Sequence, residues 1–424
     1  MMNRLRVTPG PVLALTAAWL ATRALMCGLL THDSSPRLGG GAVPREVWRL
    51  YSHWYGVLSH GAFPAHDSTW QYPPGAGPVL LAPGLLPWLT YFQAFVVLTL
   101  AADALIAVAL VRAGTRPGRS LLGAAVWTCG LPLLLHLPLA RYDVEVTALA
   151  VLSLLALGRS PRVCGALGAL GALVKVWPAL VLLGTPRGTG TRTAWRWAAA
   201  AGGACGALLA VSFRNPLAFL SQQGGRGVQI ESLGGTALDL ARHAGWPGRP
   251  RYQYGAIEMV GPHVHAVATA SLALTAVAFG LLVLWRLRAR HWTPATPYDA
   301  ALAGVLLFTV TSRVISPQYM IWLIGLAAVC LTSRHTSQRP VAVLVLVASA
   351  LSSVVFPAFY RDVVAGTWTG CLLLVARNAV LAATAVLSLV LLWRSARPPT
   401  QGPAPTDEPR PDSDRLPDRV LSIS

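Results

Sequence analysis

Apolar runs of about twenty residues recur along this chain, and they dominate what it can fold into. A bilayer core of ~30 Å takes ~20 helical residues to cross, and lipid satisfies no backbone polar group, so such runs become membrane helices. The runs are Pro11–Leu30, Thr90–Val111, Leu121–Leu139, Val144–Leu157, Val163–Val174 with Trp177–Gly184, Trp197–Phe213, His263–Trp285, Ala300–Thr311, Ile315–Leu331, Val341–Phe356 and Thr369–Trp393. A Pro-rich piece, Val79–Leu89, reads as re-entrant or interfacial. The expected fold class is therefore all-α: a polytopic transmembrane bundle of roughly 10–12 membrane segments, some of them broken. Of the 424 residues, 54% are hydrophobic and only 12% charged, whereas soluble domains carry about 25% charge. One membrane domain takes residues 1–397. Residues 398–424 are rich in Pro, Asp and Arg, bury too little to fold alone, and read as a disordered cytoplasmic tail.

The net charge of +18 does not indicate nucleic acid. The arginines are spread over short interhelical loops, as the positive-inside rule produces. Arg4/Arg6, Arg112/Arg116/Arg119, Arg159/Arg162, Arg187/Arg192/Arg196, Arg286/Arg288/Arg290, Arg334/Arg339 and Arg394/Arg397 are all assigned to the cytoplasm, which places both termini there. That assignment requires Val163–Gly184 to enter and leave on one side, as two half-helices broken near Lys175-Val176-Trp177-Pro178. The alternative is one kinked helix, with Arg187–Arg196 outside. In the broken topology Asp33, Glu46, Asp67, Asp143, Glu145, Glu231, Asp239, Glu258 and Asp362 fall outside, so the chemistry is expected on the outer face of the membrane.

The six cysteines lie apart, and His53, His60, His66, His263 and His265 show no ligand spacing beyond the weak His263/His265 pair, so neither a disulfide framework nor a metal is expected. No P-loop and no dinucleotide fingerprint occurs, and no cofactor is expected. Arg23, Asp103 and Arg377 fall inside membrane runs and read as partners in structural ion pairs. Lys175, the only lysine, is costly in a membrane helix without a partner and is a functional candidate.

Three outer segments carry polar groups suited to a site. In the first, Val47, Leu50, Trp54, Tyr55 and Leu58 recur at helical spacing, which suggests an amphipathic helix resting on the bilayer after Glu46; Asp67 and Trp70-Gln71-Tyr72-Pro73-Pro74 follow. The second runs from Gln222 to Leu233 with Arg226, Gln229 and Glu231, and the third is Arg313-Val314-Ile315-Ser316-Pro317-Gln318-Tyr319.

The ordered set Glu46…Tyr51…Gly61…Pro64…Tyr72-Pro73-Pro74, Arg141-Tyr142-Asp143, Lys175-Val176-Trp177-Pro178, Arg226-Gly227-Val228-Gln229-Ile230-Glu231-Ser232 and Ser316-Pro317-Gln318-Tyr319 resembles glycosyltransferase family 87. That family includes polyprenyl-phosphate-mannose-dependent α-1,2-mannosyltransferases of the GT-C class. The resemblance implies a GT-C bundle and an external site. It also implies inverting transfer of a hexose, mannose above others, from a polyprenyl-phosphate donor to a glycolipid or cell-envelope glycan, with a first-loop carboxylate as base. The family commonly has Asp before the loop Tyr, whereas Gly41–Glu46 offers only Glu46. Glu46 takes the role, or Asp67 does, or the enzyme is impaired and only binds lipid-linked sugars. The donor phosphate falls to Lys175, Arg226 and Arg313. Substrate contacts fall to Tyr51, Tyr72, Arg141, Asp143, Gln229, Glu231, Gln318 and Tyr319. A secondary transporter or lipid flippase could also use broken helices and buried charges, but the two large polar loops are unlike one another and no half-to-half repeat occurs.

Overall fold

A computed structural model describes residues 9–32, 36–39, 41–223 and 225–397. The tail assigned to 398–424 and the loop acid Asp33 lie outside the described residues. The first half of the chain forms α1 (Pro9–Thr31), α2 (Ser52–Ser59), α3 (Ala76–Leu81), α4 (Tyr91–Gly114), α5 (Leu122–Gly130), α6 (Asp143–Ala156), α7 (Pro161–Val174) and α8 (Thr189–Ser212). The second forms α9 (Ala218–Gln223), α10 (Leu233–His243), α11 (Val264–Arg288), α12 (Thr296–Thr311), α13 (Tyr319–Leu331), α14 (Arg339–Ser353), α15 (Tyr360–Ala365) and α16 (Trp368–Ser395). Among the described residues, five helices are long and apolar enough to cross a membrane: α1, α4, α11, α14 with its continuation to Ala358, and α16.

Several expected spans are shorter than a bilayer. The run Ile315–Leu331 yields only the 13-residue α13, about 20 Å long, buried on all sides from Met320 to Leu331. A helix apolar all round can be a core helix as well as a membrane one. α12 is buried along nearly its whole length and packs beside α13. The expected helix Leu121–Leu139 is also interrupted. α5 ends at Gly130, and tight turns follow at Leu131–Leu134 and Leu137–Ala140. Pro132 and Pro138 lack the amide a helix interior needs.

The broken half-helix pair is present. α7 stops at Val174, Lys175 is extended (φ −147°, ψ 138°), and a tight 3₁₀ run covers Trp177–Leu182. Near the turn, Gly75 N donates to Leu173 O at 2.9 Å, and the far end of α8 pairs Arg214 with Ala62. At the opposite end Arg286 Nη1 donates to Leu183 O (2.6 Å) and Thr185 O (2.9 Å). The chain thus enters along α7, turns at Lys175 and returns, so Arg187 lies at the end of the bundle away from Lys175.

The helix after Glu46 departs from expectation. Glu46–Tyr51 winds as a π-helix that continues into α2. Val47, Tyr51, Trp54 and Leu58 are buried within the protein instead of lying on the bilayer. Tyr51 packs on Phe95 and Tyr142, and Trp54 meets Trp70 edge-on. The returning strand of loop at Trp70–Tyr72 covers the apolar face that water or lipid would otherwise meet. A small antiparallel sheet, unforeseen in the sequence, joins β1 (Val228–Gln229), β2 (Arg249–Gln253) and β3 (Ala256–Val260) in the order β1-β3-β2. Its hairpin turns at Tyr254 (φ 52°) and Gly255 (φ 74°), and two successive positive φ values match the twist of the strands.

The intramembrane charges pair as expected. Arg23 grips Asp103 with two bonds of 2.7 and 2.8 Å, and the Trp19 and Trp127 indoles donate to the same carboxylate. Replacing Arg23 with Leu strands a buried carboxylate, and we expect a loss of about 3–5 kcal/mol. The midpoint of thermal aggregation in detergent measures it. Recovery of much of the loss in Arg23→Leu/Asp103→Leu is expected; equal stability of Arg23→Leu and wild type would show the pair to be inert.

Candidate active site

One cavity of about 740 Å³ opens at the end of the bundle that holds the Lys175 break. Glu46 lines it from the π-helical turn, and Arg141 lines it from the extended residue ahead of α6. Arg141 Nη2 lies 2.9 Å from Glu46 Oε2, while its Nη1 donates to the carbonyls of Ala140 (2.6 Å) and Val43 (3.2 Å). Both sides of the guanidinium are held, so the Glu46 carboxylate is positioned by a rigid partner.

Lys175 lines the cavity from the break between α7 and the 3₁₀ run. Its Nζ lies 2.6 Å from Asp143 Oδ1, which also accepts from Trp322 Nε1 at 2.6 Å. The ammonium sits over the rings of Tyr142 (4.7 Å), Trp322 (5.2 Å) and Tyr72 (5.7 Å). Aromatic faces and a carboxylate together compensate a cation with little access to water. The tripeptide Arg141-Tyr142-Asp143 therefore holds Glu46 with its first residue and Lys175 with its third.

The remaining polar wall comes from the sheet and from the loop ahead of α13. Arg226 Nε donates to Glu258 Oε1 at 3.1 Å, and Gly227 N and Gln253 Nε2 both donate to Glu258 Oε2 at 3.0 Å. Arg313 Nη1 donates to Arg226 O at 2.9 Å, and Gln229 N donates to Arg313 O at 3.0 Å. Burial and the neighbouring Arg226 guanidinium both push the Arg313 pKa down, against the pull of Glu258. Two adjacent guanidinium groups in a partly buried site favour an anion between them. Gln229 Nε2 donates to Ser316 Oγ at 3.3 Å, while its Oε1 has no partner among the described residues. Glu231 also lines the cavity and is held by Arg377 Nη2 at 3.1 Å. Tyr319 stacks on Trp322, and Trp322 on Trp177, as one aromatic wall.

The cavity thus gathers Glu46, Lys175, Arg226, Arg313, Tyr72, Arg141, Gln229, Glu231, Gln318 and Tyr319. Asp143 and Tyr51 stand behind its surface, Asp143 as the counter-ion of Lys175 and Tyr51 in the packing under α2. Asp67 lies off the cavity. Partial burial works against its charge, but the Thr69 hydroxyl, the Trp54 indole and the Thr69 amide all donate to it and His53 lies near. The result is a carboxyl below the usual range. Those bonds describe a carboxylate that organises the loop.

Sequence reasoning missed two groups that line the cavity. Tyr252 and Tyr254 come from the β2–β3 hairpin, and Tyr252 is 62% exposed at the mouth. Gly255, a residue that takes positive φ without strain, was the turn signal for that hairpin. Trp177 and Trp322 were read as membrane helix, and only the break and the short α13 bring them to the wall.

A family model described as glycosyltransferase family 87 matches residues 70–317, more than half of the chain. The chain belongs to glycosyltransferase family 87. It is a membrane glycosyltransferase by family and by its apolar helices. The matched span holds Tyr72, Arg141, Asp143, Lys175, Arg226, Gln229, Glu231 and Arg313, whereas Glu46 and Asp67 precede it and Gln318 and Tyr319 follow it. A solved structure of ArnT from Cupriavidus metallidurans bound to undecaprenyl phosphate is similar over 92% of this chain and 78% of that one, at 14% identity and a TM-score of 0.44. No curated protein matches.

Proposed function

We propose that this family 87 enzyme transfers a hexose, mannose above others, from a polyprenyl-phosphate donor to a glycolipid or cell-envelope glycan on the outer face, with inversion. The observation that carries the reading is the Arg141-Tyr142-Asp143 tripeptide, which ties a carboxylate and a lysine to one cavity that two further arginines line. An acceptor hydroxyl attacks the anomeric carbon, and the bond from that carbon to the phosphate oxygen breaks. The leaving polyprenyl phosphate takes the electron pair, and Glu46 takes the hydroxyl proton. A placed base contributes ~10²–10⁴ in rate. Lys175, Arg226 and Arg313 stabilise the departing phosphate where water is scarce. Tyr72, Gln229, Glu231, Gln318 and Tyr319 are proposed to hold the sugars, with Arg141 and Asp143 positioning the base and the lysine.

A lipid-linked donor also has a route to this cavity. A second, apolar hollow of about 540 Å³ runs between the ends of α7 and α8 and shares Pro73, Val176 and Phe219 with it. Transfer in isolated membranes supplied with radiolabelled polyprenyl-phosphate mannose tests the reading. Labelled product from wild type, formed at least ~10²-fold more slowly by the Glu46→Gln variant, is expected. Uptake of label without a new glycosidic bond would instead indicate a transporter.

The cavity end is proposed to face outward, with both termini and the 398–424 tail in the cytoplasm. Thr191 lies at the start of α8, at the end of the bundle away from Lys175. In intact cells a Thr191→Cys variant is expected to resist an impermeant thiol reagent and to react after permeabilisation. Labelling of intact cells would reverse the proposed orientation.

A further inference from the structure

α11 and α16 both run from the cavity end to the far end of the bundle. Val264 packs towards Gly227 at one end of α11, and Arg377 of α16 reaches Glu231. At the far end the two helices are tied together. Arg290 N and His291 N donate to Ala396 O at 3.2 and 3.1 Å, and Trp285 Nε1 donates to Leu392 O at 3.3 Å. These bonds border a cavity of about 640 Å³ lined by Arg187, Arg288, Arg290 and Arg397 with Trp285 and Trp393. Among the described residues no carboxylate lines it. Among the described residues none of these four arginines makes an ion pair, although Arg187 directs one N–H to Arg286 O.

The positive-inside rule explains why arginines lie at this end. It does not explain why four of them surround one hollow with no counter-ion among the described residues. Guanidinium forks so placed match the oxygens of a phosphate, which would relieve their mutual repulsion. A second hollow of about 380 Å³ shares Trp393 and Arg397 with the first and continues along Leu389 and Val390 of α16. Leu389 and Val390 give it an apolar side, and Arg394 lines it as well. α11, at ~1.5 Å per residue, is long enough to cross a ~30 Å core, so its last turn stands near headgroup level, where tryptophan also favours the interface. A cationic hollow joined to an apolar track at that depth has the shape of an amphiphile with an anionic head.

We infer that this end of the bundle is a binding site for an anionic phospholipid, its phosphate among Arg187, Arg288, Arg290 and Arg397 and an acyl chain along Leu389, Val390 and Trp393. The site lies away from the transfer cavity and does not depend on the transfer reading.

Native mass spectrometry of the purified full-length chain tests it, with phosphatidylglycerol, phosphatidylcholine and inorganic phosphate as separate additions. Wild type is expected to retain phosphatidylglycerol in preference to phosphatidylcholine. R288Q/R290Q should bind it roughly 30-fold more weakly, at about 1 kcal/mol per basic residue near the surface. R288K/R290K keeps the charge but not the fork, and should bind more weakly than wild type yet more tightly than R288Q/R290Q. Should R288Q/R290Q fail to fold, R397Q alone should show a loss of about fivefold by the same reckoning. Undiminished phosphatidylglycerol binding by folded glutamine variants would overturn the site. So would full displacement of the lipid by inorganic phosphate at equal concentration, which would make a free phosphate the ligand. A third outcome would also overturn it: no lipid binding until Asp407, Glu408, Asp412, Asp414 and Asp418 are replaced by their amides. The chain's own tail would then be the occupant.

Discussion

Glu46→Gln is expected to lower turnover by ~10²-fold or more while the donor still binds. The substitution keeps the size and the hydrogen-bonding reach of the side chain, so Arg141 can still be held through its bonds to Val43 and Ala140. What disappears is a group able to accept the acceptor's proton. The loss should therefore fall on kcat, with little change in the concentration of donor needed for half-maximal rate. Glu46→Asp retains a carboxylate on a shorter arm and should keep partial activity. The control is Asp67→Asn. Asp67 lies outside the cavity among the Thr69 and Trp54 donors, so its change should mainly loosen the loop. Abolished turnover in Asp67→Asn with near-normal turnover in Glu46→Gln would reverse the two roles and leave the transferase reading standing.

Lys175→Met is expected to have two separable effects. The ammonium is the partner of Asp143, a carboxylate buried behind the cavity and otherwise bonded to the Trp322 indole. Removing the lysine alone leaves that charge uncompensated, a loss of about 3–5 kcal/mol. The double variant Lys175→Met/Asp143→Asn removes both charges and should regain much of the stability. If Lys175 also stabilises the leaving phosphate, the double variant should remain at least ~10²-fold slower, because a cation aimed at developing charge contributes several kcal/mol in a dry site. Thermal midpoints in detergent and transfer rates are measured on the same preparations. A double variant that is stable and transfers at wild-type rate would leave Lys175 with a structural role only.

The sequence by itself determined the class of fold, the break at Lys175 and most of the polar groups that meet. Long apolar runs have few solutions in lipid, so α1, α4, α11 and α16 were legible to within a few residues. Lysine ahead of Val-Trp-Pro marked the end of α7, because proline restricts both itself and the residue before it. Arg23, Asp103 and Arg377 were legible as ion-pair members, since an unpaired charge there would be too costly. Tertiary structure alone decided what each apolar face covers. Hydrophobic periodicity is the same whether a helix meets lipid or protein, so the Val47–Leu58 face was indistinguishable from a bilayer-seated one until Phe95, Tyr142 and Trp70 were seen against it. The same ambiguity hid α13 in the core. Pairings across long sequence separations, Arg141 with Glu46, Trp322 with Asp143 and Arg226 with Glu258, have no local signature either. They arise because buried charges must find partners wherever the packing brings one within reach.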